Sequence, residues 1–352
     1  MTHAVATGSG SGTVTTVVQG RRRRAARRRT VVALLSIALV AVFALSLMAG
    51  RTFYPASDVL DVVLGQDVPG ASYTVGRLRL PRAVLAVAAG LCFGIAGVTF
   101  QTMLRNPLAS PDVIGISAGA GAAATFAIVT LSWTSTQVSA FAIVSGLAVA
   151  LVIYVLSFED GVVGTRLILI GIGIAAVLES ATAYILSRAA EWDLQEATRW
   201  LTGSLNGSSW DAAVPVLLAA VILTPVLMLL DRDLAITRLG DDMAPALGVR
   251  VSRTRLLAIV AATGLIAFAT AATGPIAFVA FLSGPIAARI VGPGASLLVP
   301  SALVGALLVL VADFCGQYAF DTRYPVGIVT GVLGAPYLVY LIARSHRGGG
   351  SL

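Results

Sequence analysis

Long apolar runs separated by short polar segments dominate the chain. A transmembrane helix needs about 20 apolar residues to cross a hydrocarbon core about 30 Å thick, and ten runs approach that length. The pattern therefore predicts an all-α membrane protein, a polytopic bundle of about ten transmembrane helices. The predicted spans cover residues 31–50, 82–103, 113–131, 138–156, 167–186, 213–230, 256–272, 276–290, 297–315 and 326–342.

Composition agrees with this prediction. The 352 residues are 57% hydrophobic and 12% charged with a mean hydropathy of +0.90, whereas soluble domains are about 45–50% apolar and about 25% charged. A soluble fold is excluded. We expect one transmembrane domain over residues 31–343, followed by a short cytoplasmic tail over residues 344–352.

Seven arginines lie together before the first apolar run, at positions 21–24 and 27–29. A basic cluster beside a first span is typical of a cytoplasmic flank that contacts anionic lipid headgroups. The net charge of +7 therefore indicates membrane lipid as a partner and no nucleic acid, and ten spans place both termini in the cytoplasm. Residues 1–30 are predicted to form a disordered basic cytoplasmic tail.

The residues that catalysis or metal binding would need are missing or badly placed. All 24 basic residues are arginine, so no lysine is available for a P-loop, and a partner subunit would have to hydrolyse any ATP. His3 and His346, the only histidines, lie in the tails, while Cys92 and Cys315 lie in apolar runs. We therefore expect this chain to have no metal site, no bound cofactor and no enzymatic activity.

One cytoplasmic loop, residues 231–255, is unusually polar for this chain. A short helix is predicted there, capped by Asp242 and ending before Gly248. Such a helix suits docking into a groove on another protein; the alternative is a loop helix that folds back on its own bundle. Its apolar face would consist of Met243, Ala244 and Leu247.

Arginines also gather at the outer end of the second span. Arg77, Arg79 and Arg82 could receive acidic side chains of an extracytoplasmic partner or an anionic ligand, or they could only anchor the helix at the interface. Shortly before them, Ser57 and Gly65 can cap the two ends of a short helix on the outer surface.

Small residues recur within the spans, and two sets contain a GxxxG pattern. We interpret them as sites of close helix packing in preference to ligand contacts. The sets are Gly90, Gly94 and Gly97; Gly171 and Gly173; and Gly327, Gly331 and Gly334.

Glu179 is the one carboxylate well inside a predicted span, where a charge is costly. It either lines a translocation path or stays protonated or hydrogen-bonded to a neighbouring helix. Asp313, near the outer end of the ninth span, is predicted to have a structural role.

A series of segments carries a resemblance over nearly the whole chain after Gly50. Arg79-Leu80-Pro81-Arg82 is followed by a Gly-rich span and then by a motif that includes Arg105, Asn106, Pro107 and Gly115. In this order the segments resemble the FecCD family, the permeases of iron-siderophore, haem and cobalamin importers. Further matches are Trp200 to Gly207, Leu239 to Gly248, Gly274 to Phe281, Pro325-Val326-Gly327 and Gly334-Ala335-Pro336.

The resemblance implies a type II ABC importer permease of the plasma membrane that takes up iron(III)-siderophore complexes. A haem or cobalamin permease of the same family is the alternative. The implied partners are a second homologous permease, two ABC ATPase subunits and an extracytoplasmic siderophore-binding protein. ATP is used by the ATPase subunits and not by this chain.

The same resemblance assigns roles to residues. Docking of the binding protein maps onto Arg79 and Arg82, with Arg323 in the last outer loop as a further candidate. The coupling helix that would contact the ATPase maps onto Asp241, Asp242, Met243, Ala244, Leu247 and Gly248.

Two departures from the family pattern change this picture. Gly284-Pro285 stands where many relatives have Pro-His, which favours a heterodimer of two different permeases. Pro245 stands where the coupling helix usually has a polar residue, which weakens the predicted ATPase contact. The rival from another class, an ion-coupled secondary transporter, would carry several intramembrane ionisable residues, whereas only Glu179 clearly fits.

Overall fold

The computed structural model describes residues 10–111, 115–157, 165–240, 242–292 and 296–347. Within these ranges the chain forms helices and connecting segments and no strands. The α-helices are α1 (Gly10–Met48), α2 (Ala56–Val63), α3 (Leu80–Met103), α4 (Ile116–Val129), α5 (Ser135–Ser157), α6 (Thr165–Leu186), α7 (Glu191–Thr202), α8 (Trp210–Thr237), α9 (Met243–Ala246), α10 (Val251–Thr273), α11 (Val279–Val291), α12 (Leu298–Tyr318) and α13 (Val326–Arg347).

The predicted spans each fall on one of these helices, so the all-α polytopic fold is confirmed. Seven described helices are long and apolar enough to cross a membrane: α1, α3, α5, α6, α8, α10 and α12. Three shorter apolar helices, α4, α11 and α13, account for the remaining predicted spans.

Helix α3 is the centre of the bundle. Of its most apolar stretch of 18 residues, 83% is buried, and the helix packs against α12, α10, α11 and α8. Helix α6 is the least buried of the seven long apolar helices. Only 6% of its most apolar stretch of 18 residues is buried, and its main packing partners are α4 and α5. Among the seven long apolar helices, α3, α10 and α12 are therefore mostly enclosed, while α1, α5, α6 and α8 leave most of their surface open.

Glycines explain how α3 can be enclosed so tightly. A Cβ added at Gly90 would lie 2.5 Å from the carbonyl oxygen of Gly305 on α12, and one added at Gly94 would overlap the carbonyl of Ser301. A Cβ at Gly97 would overlap the carbonyl of Ala280 on α11. The packing interpretation of this set is therefore correct, since any side chain here would push neighbouring backbones apart.

Helix α11 is preceded by an irregular segment, residues 274–278, instead of by a further helical turn. The 13 residues of α11 span only about 20 Å at 1.5 Å per residue, which is less than the thickness of the hydrocarbon core. Phe278, the residue before the helix, has a φ of 66°, which is rare for a residue with a side chain. Non-helical backbone at membrane depth is tolerated only where protein or a water-filled cavity surrounds it.

The amino-terminal prediction needs correction. The segment expected to be a disordered tail up to residue 30 is helical from Gly10 and continues into the first span as one helix. Arg27 in this extension donates from Nε and Nη2 to the carbonyl oxygen of Ile290 at 3.1 and 2.9 Å. A cation at the end of α11 satisfies an orphan carbonyl and complements the helix dipole, which ties the extension to the bundle.

The outer surface also differs in detail from the prediction. The short helix α2 is present and Gly65 follows its end with a φ of 87°, but Pro55 is the N-cap and Ser57 lies in the first turn. Residues Ser72–Arg79 form a π-helix that runs directly into α3. The amphipathic helix α7 was not predicted, because its sequence is too polar to register as an apolar run.

The glycine packing makes a prediction about stability. Gly94→Ala should destabilise the protein by at least about 1–3 kcal/mol, since its Cβ would overlap backbone that cannot yield. Thermal unfolding in detergent measures the effect, and each variant is also checked for monodispersity. The packing prediction is wrong at Gly173 and Gly331, where no atom lies within 4 Å of an added Cβ. Gly173→Ala is therefore the matched control and should change stability by less than about 1 kcal/mol. Equal effects of the two substitutions would contradict the packing argument.

Candidate docking and translocation sites

Arg82 occupies the outer end of α3 in a network of charge-assisted hydrogen bonds. Its Nε donates to Asp313 Oδ2 at 2.9 Å and its Nη2 to Asp313 Oδ1 at 2.8 Å, while Nη1 donates to Asn206 Oδ1 at 2.9 Å. Gln317 Nε2 also donates to Asp313 Oδ2 at 2.8 Å, so the Asp313 carboxylate accepts three hydrogen bonds. With the Asp313 side chain only 6% exposed, this bidentate pair joins α3, α12 and the loop before α8. The geometry agrees with the structural role predicted for Asp313.

Arg79 is also occupied within the chain. Its Nη1 donates to the carbonyl oxygens of Leu47 and Met48 at 2.8 and 2.9 Å, and its Nη2 donates to that of Thr52 at 2.7 Å. Its guanidinium also lies 5.2 Å from the centre of the Tyr54 ring. A cation there neutralises the carboxyl end of the α1 dipole and satisfies carbonyls that the helix leaves free.

Two other outer arginines present their guanidinium groups to solvent. Arg77, in the π-helix, and Arg323, in the loop between α12 and α13, are both exposed. Neither makes a hydrogen bond or ion pair within the described residues. Of the three predicted docking arginines, Arg323 is therefore free for an external carboxylate, and Arg77 is a fourth candidate; Arg79 and Arg82 are engaged.

Three glycines bring the outer ends of α7, α10 and α13 together. A Cβ at Gly203 would overlap the carbonyl of Pro275, and one at Gly274 would overlap that of Trp200. A Cβ at Gly327 would overlap the carbonyl of Thr202, and the Gly327 amide donates to the Gly203 carbonyl at 3.1 Å. These contacts are backbone to backbone, so the three helix ends form one rigid junction.

Glu179 lies on the open side of α6. Its side chain is exposed and makes no hydrogen bond or ion pair to any described residue. The predicted alternative, a hydrogen bond to a neighbouring helix of this chain, is therefore not present in the described structure. Helical spacing places the small residues Gly173, Ala176, Ser180 and Ala183 on the same open side. The Ser180 hydroxyl donates to the Ala176 carbonyl of the same helix at 2.8 Å, so it is satisfied within α6. The Glu179 carboxylate at this depth requires a polar neighbour in place of lipid.

The loop between α8 and α10 contains the predicted short helix, with two changes. Helix α9 comprises Met243–Ala246, and Gly248 follows it in the left-handed region with a φ of 84°. Asp242 precedes the helix but makes no side-chain capping bond, and Asp241 lies outside the described residues. Ala244 is fully buried, so it packs inward and does not belong to the exposed face. Met243 and Leu247 remain on that face, 57% and 55% exposed, together with Leu239.

A family model matches residues 38–344 of the chain, which include every feature described above except the amino-terminal extension. It is the model of the FecCD transport family. The chain belongs to this family.

Relatives and a solved structure extend this assignment. The chain is 36% identical to the ferric enterobactin permease FepG of Escherichia coli, covering 86% of this chain and 92% of FepG. It is 36% identical to the achromobactin permease CbrC of Dickeya dadantii over 94% and 96%, and 34% identical to the cobalamin permease BtuC of Halobacterium salinarum over 77% and 74%. A metal-chelate type ABC transporter solved in an inward-facing conformation superposes with a TM-score of 0.81 at 26% identity, covering 90% of this chain and 99% of the other. The protein is thus a multi-pass membrane permease of a metal-chelate type ABC importer.

The FecCD motif residues form the reversal between α3 and α4. Arg105 has a φ of 52°, and the Asn106 Oδ1 accepts a hydrogen bond from the Leu108 amide at 2.9 Å, which closes a turn ahead of α4. Gly115 precedes α4 with a φ of 85°, and a Cβ there would lie 3.2 Å from the Gly171 carbonyl of α6. The motif therefore sets the path of the chain beside α6.

No group of three or more His, Cys, Asp or Glu side chains in the described residues could hold a metal ion. The salt bridge between Arg82 and Asp313 joins elements of the fold.

The Arg82–Asp313 pair is testable by a double-mutant cycle. Arg82→Met leaves a nearly buried carboxylate with Gln317 as its remaining donor and should cost about 3–5 kcal/mol of stability. Arg82→Met combined with Asp313→Leu should cost less than the sum of the single changes, because neither charge is left unpaired. Thermal unfolding of the purified permease measures Arg82→Met, Asp313→Leu and the double variant.

The control is Arg77→Met, which removes an exposed arginine from the same surface and should stay within about 0.5 kcal/mol of wild type. Additive effects of the two changes at the pair would show that Arg82 and Asp313 do not stabilise each other.

Proposed function

We propose that this permease imports iron(III)-siderophore complexes. The observation that carries the proposal is the similarity over most of the chain to permeases whose cargo is a siderophore complex, FepG and CbrC. Iron would cross within its chelator as substrate, so the path needs polar and permissive walls and no protein-built metal site.

The energy for transport would come from partner subunits. The chain has no lysine and hence no ordinary P-loop, so two ABC ATPases on the cytoplasmic side would hydrolyse ATP. A cytoplasmic location of both termini and of α9 follows from the arginine-rich flank of α1 and the alternation of spans.

Coupling to the ATPases is assigned to α9 and its flanks. Leu239, Met243 and Leu247 present exposed apolar side chains on a short helix whose inner face is fixed by buried Ala244. Apolar side chains on a rigid support suit insertion into a groove of a partner. Pro245, also exposed, would take part as a rigid element and not as a polar contact.

Docking of the outer binding protein is assigned to the exposed arginines. Arg323 and Arg77 offer free guanidinium groups to acidic side chains, whereas Arg79 and Arg82 stabilise the surface that carries them. An incoming carboxylate would have to displace Asp313 to bind Arg82 bidentately, and three backbone carbonyls to bind Arg79 fully.

The translocation path is assigned to the open side of α6. A second homologous permease would face it across the path, so that Glu179 and Ser180 meet water or a partner and not lipid. The Gly284-Pro285 departure favours a heterodimer. Opening and closing of this path by ATP-driven motion of α9 is the proposed transport cycle.

Cobalamin is the second candidate substrate, because the cobalamin permease of Halobacterium salinarum is 34% identical to this chain. Both substrates are bulky chelates, and the residues that would distinguish them lie on surfaces facing a partner.

Uptake by reconstituted vesicles tests the proposed function. Vesicles holding this chain with its partner permease and ATPase should accumulate radiolabelled ferric siderophore when binding protein is outside and ATP inside. Omitting ATP should abolish uptake. Accumulation driven by an ion gradient without ATP would overturn the proposal in favour of a secondary transporter, and uptake of cobalamin alone would replace the substrate.

Charge placed on the coupling face should uncouple transport. Leu247→Glu puts a carboxylate into an apolar contact and should lower ATP-driven uptake by about tenfold or more, as expected for losing a central interface anchor. ATPase co-purification and uptake in vesicles measure the change. The control is Arg253→Glu, an exposed position on α10 outside the apolar face, and equal loss in both variants would contradict the assignment.

Charge reversal on the outer surface should weaken docking. Arg323→Glu and Arg77→Glu should each lower the affinity of the binding protein several-fold and reduce its salt dependence, because each replaces an attraction by a repulsion. Binding to the permease in nanodiscs at two salt concentrations measures both. Arg188→Glu, at the outer end of α6 where Arg188 stacks on Tyr184, is the control. Docking that depends on Arg188 as strongly as on Arg323 would contradict this surface assignment.

A further inference from the structure

A cavity of about 970 Å³ lies near the outer ends of α5, α7, α8 and α10. Its volume lies at the upper end of the range of about 300–1,000 Å³ typical of small-ligand sites. Helix α10 packs against both α5 and α8 and forms the floor between them, while α7 and the loop before α8 form the outer wall. Nothing in the transport cycle proposed above uses this cavity.

The cavity changes character with depth. Its inner part is apolar and is lined by Ile143 of α5, Val216 of α8 and Phe268 of α10. Next to these walls, Val144 of α5 and Leu218 of α8 are apolar and exposed. The inner part therefore opens toward lipid and suits an acyl chain.

The outer part is polar and charged. Helical spacing puts Trp192, Glu196 and Arg199 on the cavity face of α7, and Asp211 lies in the first turn of α8 opposite them. All four are exposed, and Glu196, Arg199 and Asp211 make no ion pair or hydrogen bond within the described residues. Ser135 of α5 and Ser208 of the loop before α8 also line the cavity. The Ser208 hydroxyl donates to the Leu205 carbonyl at 2.6 Å, whereas Ser135 is exposed.

We propose that this cavity is a binding site for a zwitterionic phospholipid of the outer leaflet with a primary ammonium group, such as phosphatidylethanolamine. Arg199 and the Ser135 hydroxyl would donate to the phosphate, and the Glu196 and Asp211 carboxylates would accept hydrogen bonds from the ammonium. One acyl chain would occupy the apolar part between α5 and α8. A guanidinium with two nearby carboxylates matches a zwitterion better than it matches an anionic headgroup, which would meet two like charges.

The indole of Trp192 supports the position of the headgroup. It is 82% exposed at the cavity rim, and Trp210 stands exposed at the start of α8. Exposed tryptophans are enriched at the level of lipid headgroups, where an apolar ring and a polar N–H are both satisfied. The charged rim thus lies at the depth of a phospholipid headgroup.

Native mass spectrometry of the purified full-length permease tests the proposal. Phosphatidylethanolamine, phosphatidylcholine and phosphatidylglycerol with identical acyl chains are titrated separately. Phosphatidylethanolamine should be retained about tenfold better than the other two, as expected for one or more charge-assisted hydrogen bonds. Phosphatidylcholine has no ammonium N–H, and phosphatidylglycerol has no ammonium.

Variants identify the site. Arg199→Gln should lower phosphatidylethanolamine binding by about tenfold, and Glu196→Gln with Asp211→Asn should abolish the discrimination against phosphatidylcholine. Arg188→Gln, outside the cavity on the same surface, should have no effect. Equal retention of the three lipids, or equal effects of Arg199→Gln and Arg188→Gln, would overturn the proposal. So would retention of a ferric catecholate chelate that depends on Arg199 while the lipids show no preference.

Discussion

Close backbone contact along α3 is the constraint on which the rest of the fold depends. Gly90, Gly94 and Gly97 lie against carbonyl groups of α12 and α11, so three helices approach to a distance that no side chain permits. In lipid there is little hydrophobic gain from bringing apolar helices together, and dispersion contacts between close backbones are a main source of stability. Because α3 is fixed in this way, its outer end holds Arg82 and its inner end leads into the Arg105 reversal.

The outer surface shows how one residue type can serve two purposes. Arg79 and Arg82 belong to the same short motif, yet one neutralises a helix end and the other pairs with Asp313 on a distant helix. Arg77 and Arg323, whose guanidinium groups are exposed, contribute positive potential at the same surface. Position relative to helix ends and buried carboxylates, and not the presence of an arginine, decides which are available to a partner.

Much of this arrangement could be predicted from the sequence. Apolar runs located the spans because the membrane imposes length and composition together, and glycine spacing indicated close packing on α3. The pairing of Arg82 with Asp313 could not be derived, since the two residues are 231 positions apart and their contact depends on how α3 and α12 cross. The inward orientation of Ala244 likewise depends on how α9 sits against the bundle, as alanine fits either face. Helix α7 was missed because it lies at the surface, where its polar residues give no membrane signal.

The junction of Gly203, Gly274 and Gly327 has a mechanical consequence. Helices α7, α10 and α13 touch there through their main chains, with no side chains between them that could rearrange to absorb a shift. A rotation of α13 therefore cannot leave the end of α7 in place. The three helix ends therefore move as one unit, so an opening on this side requires a hinge outside Gly203, Gly274 and Gly327 and the backbone that they contact.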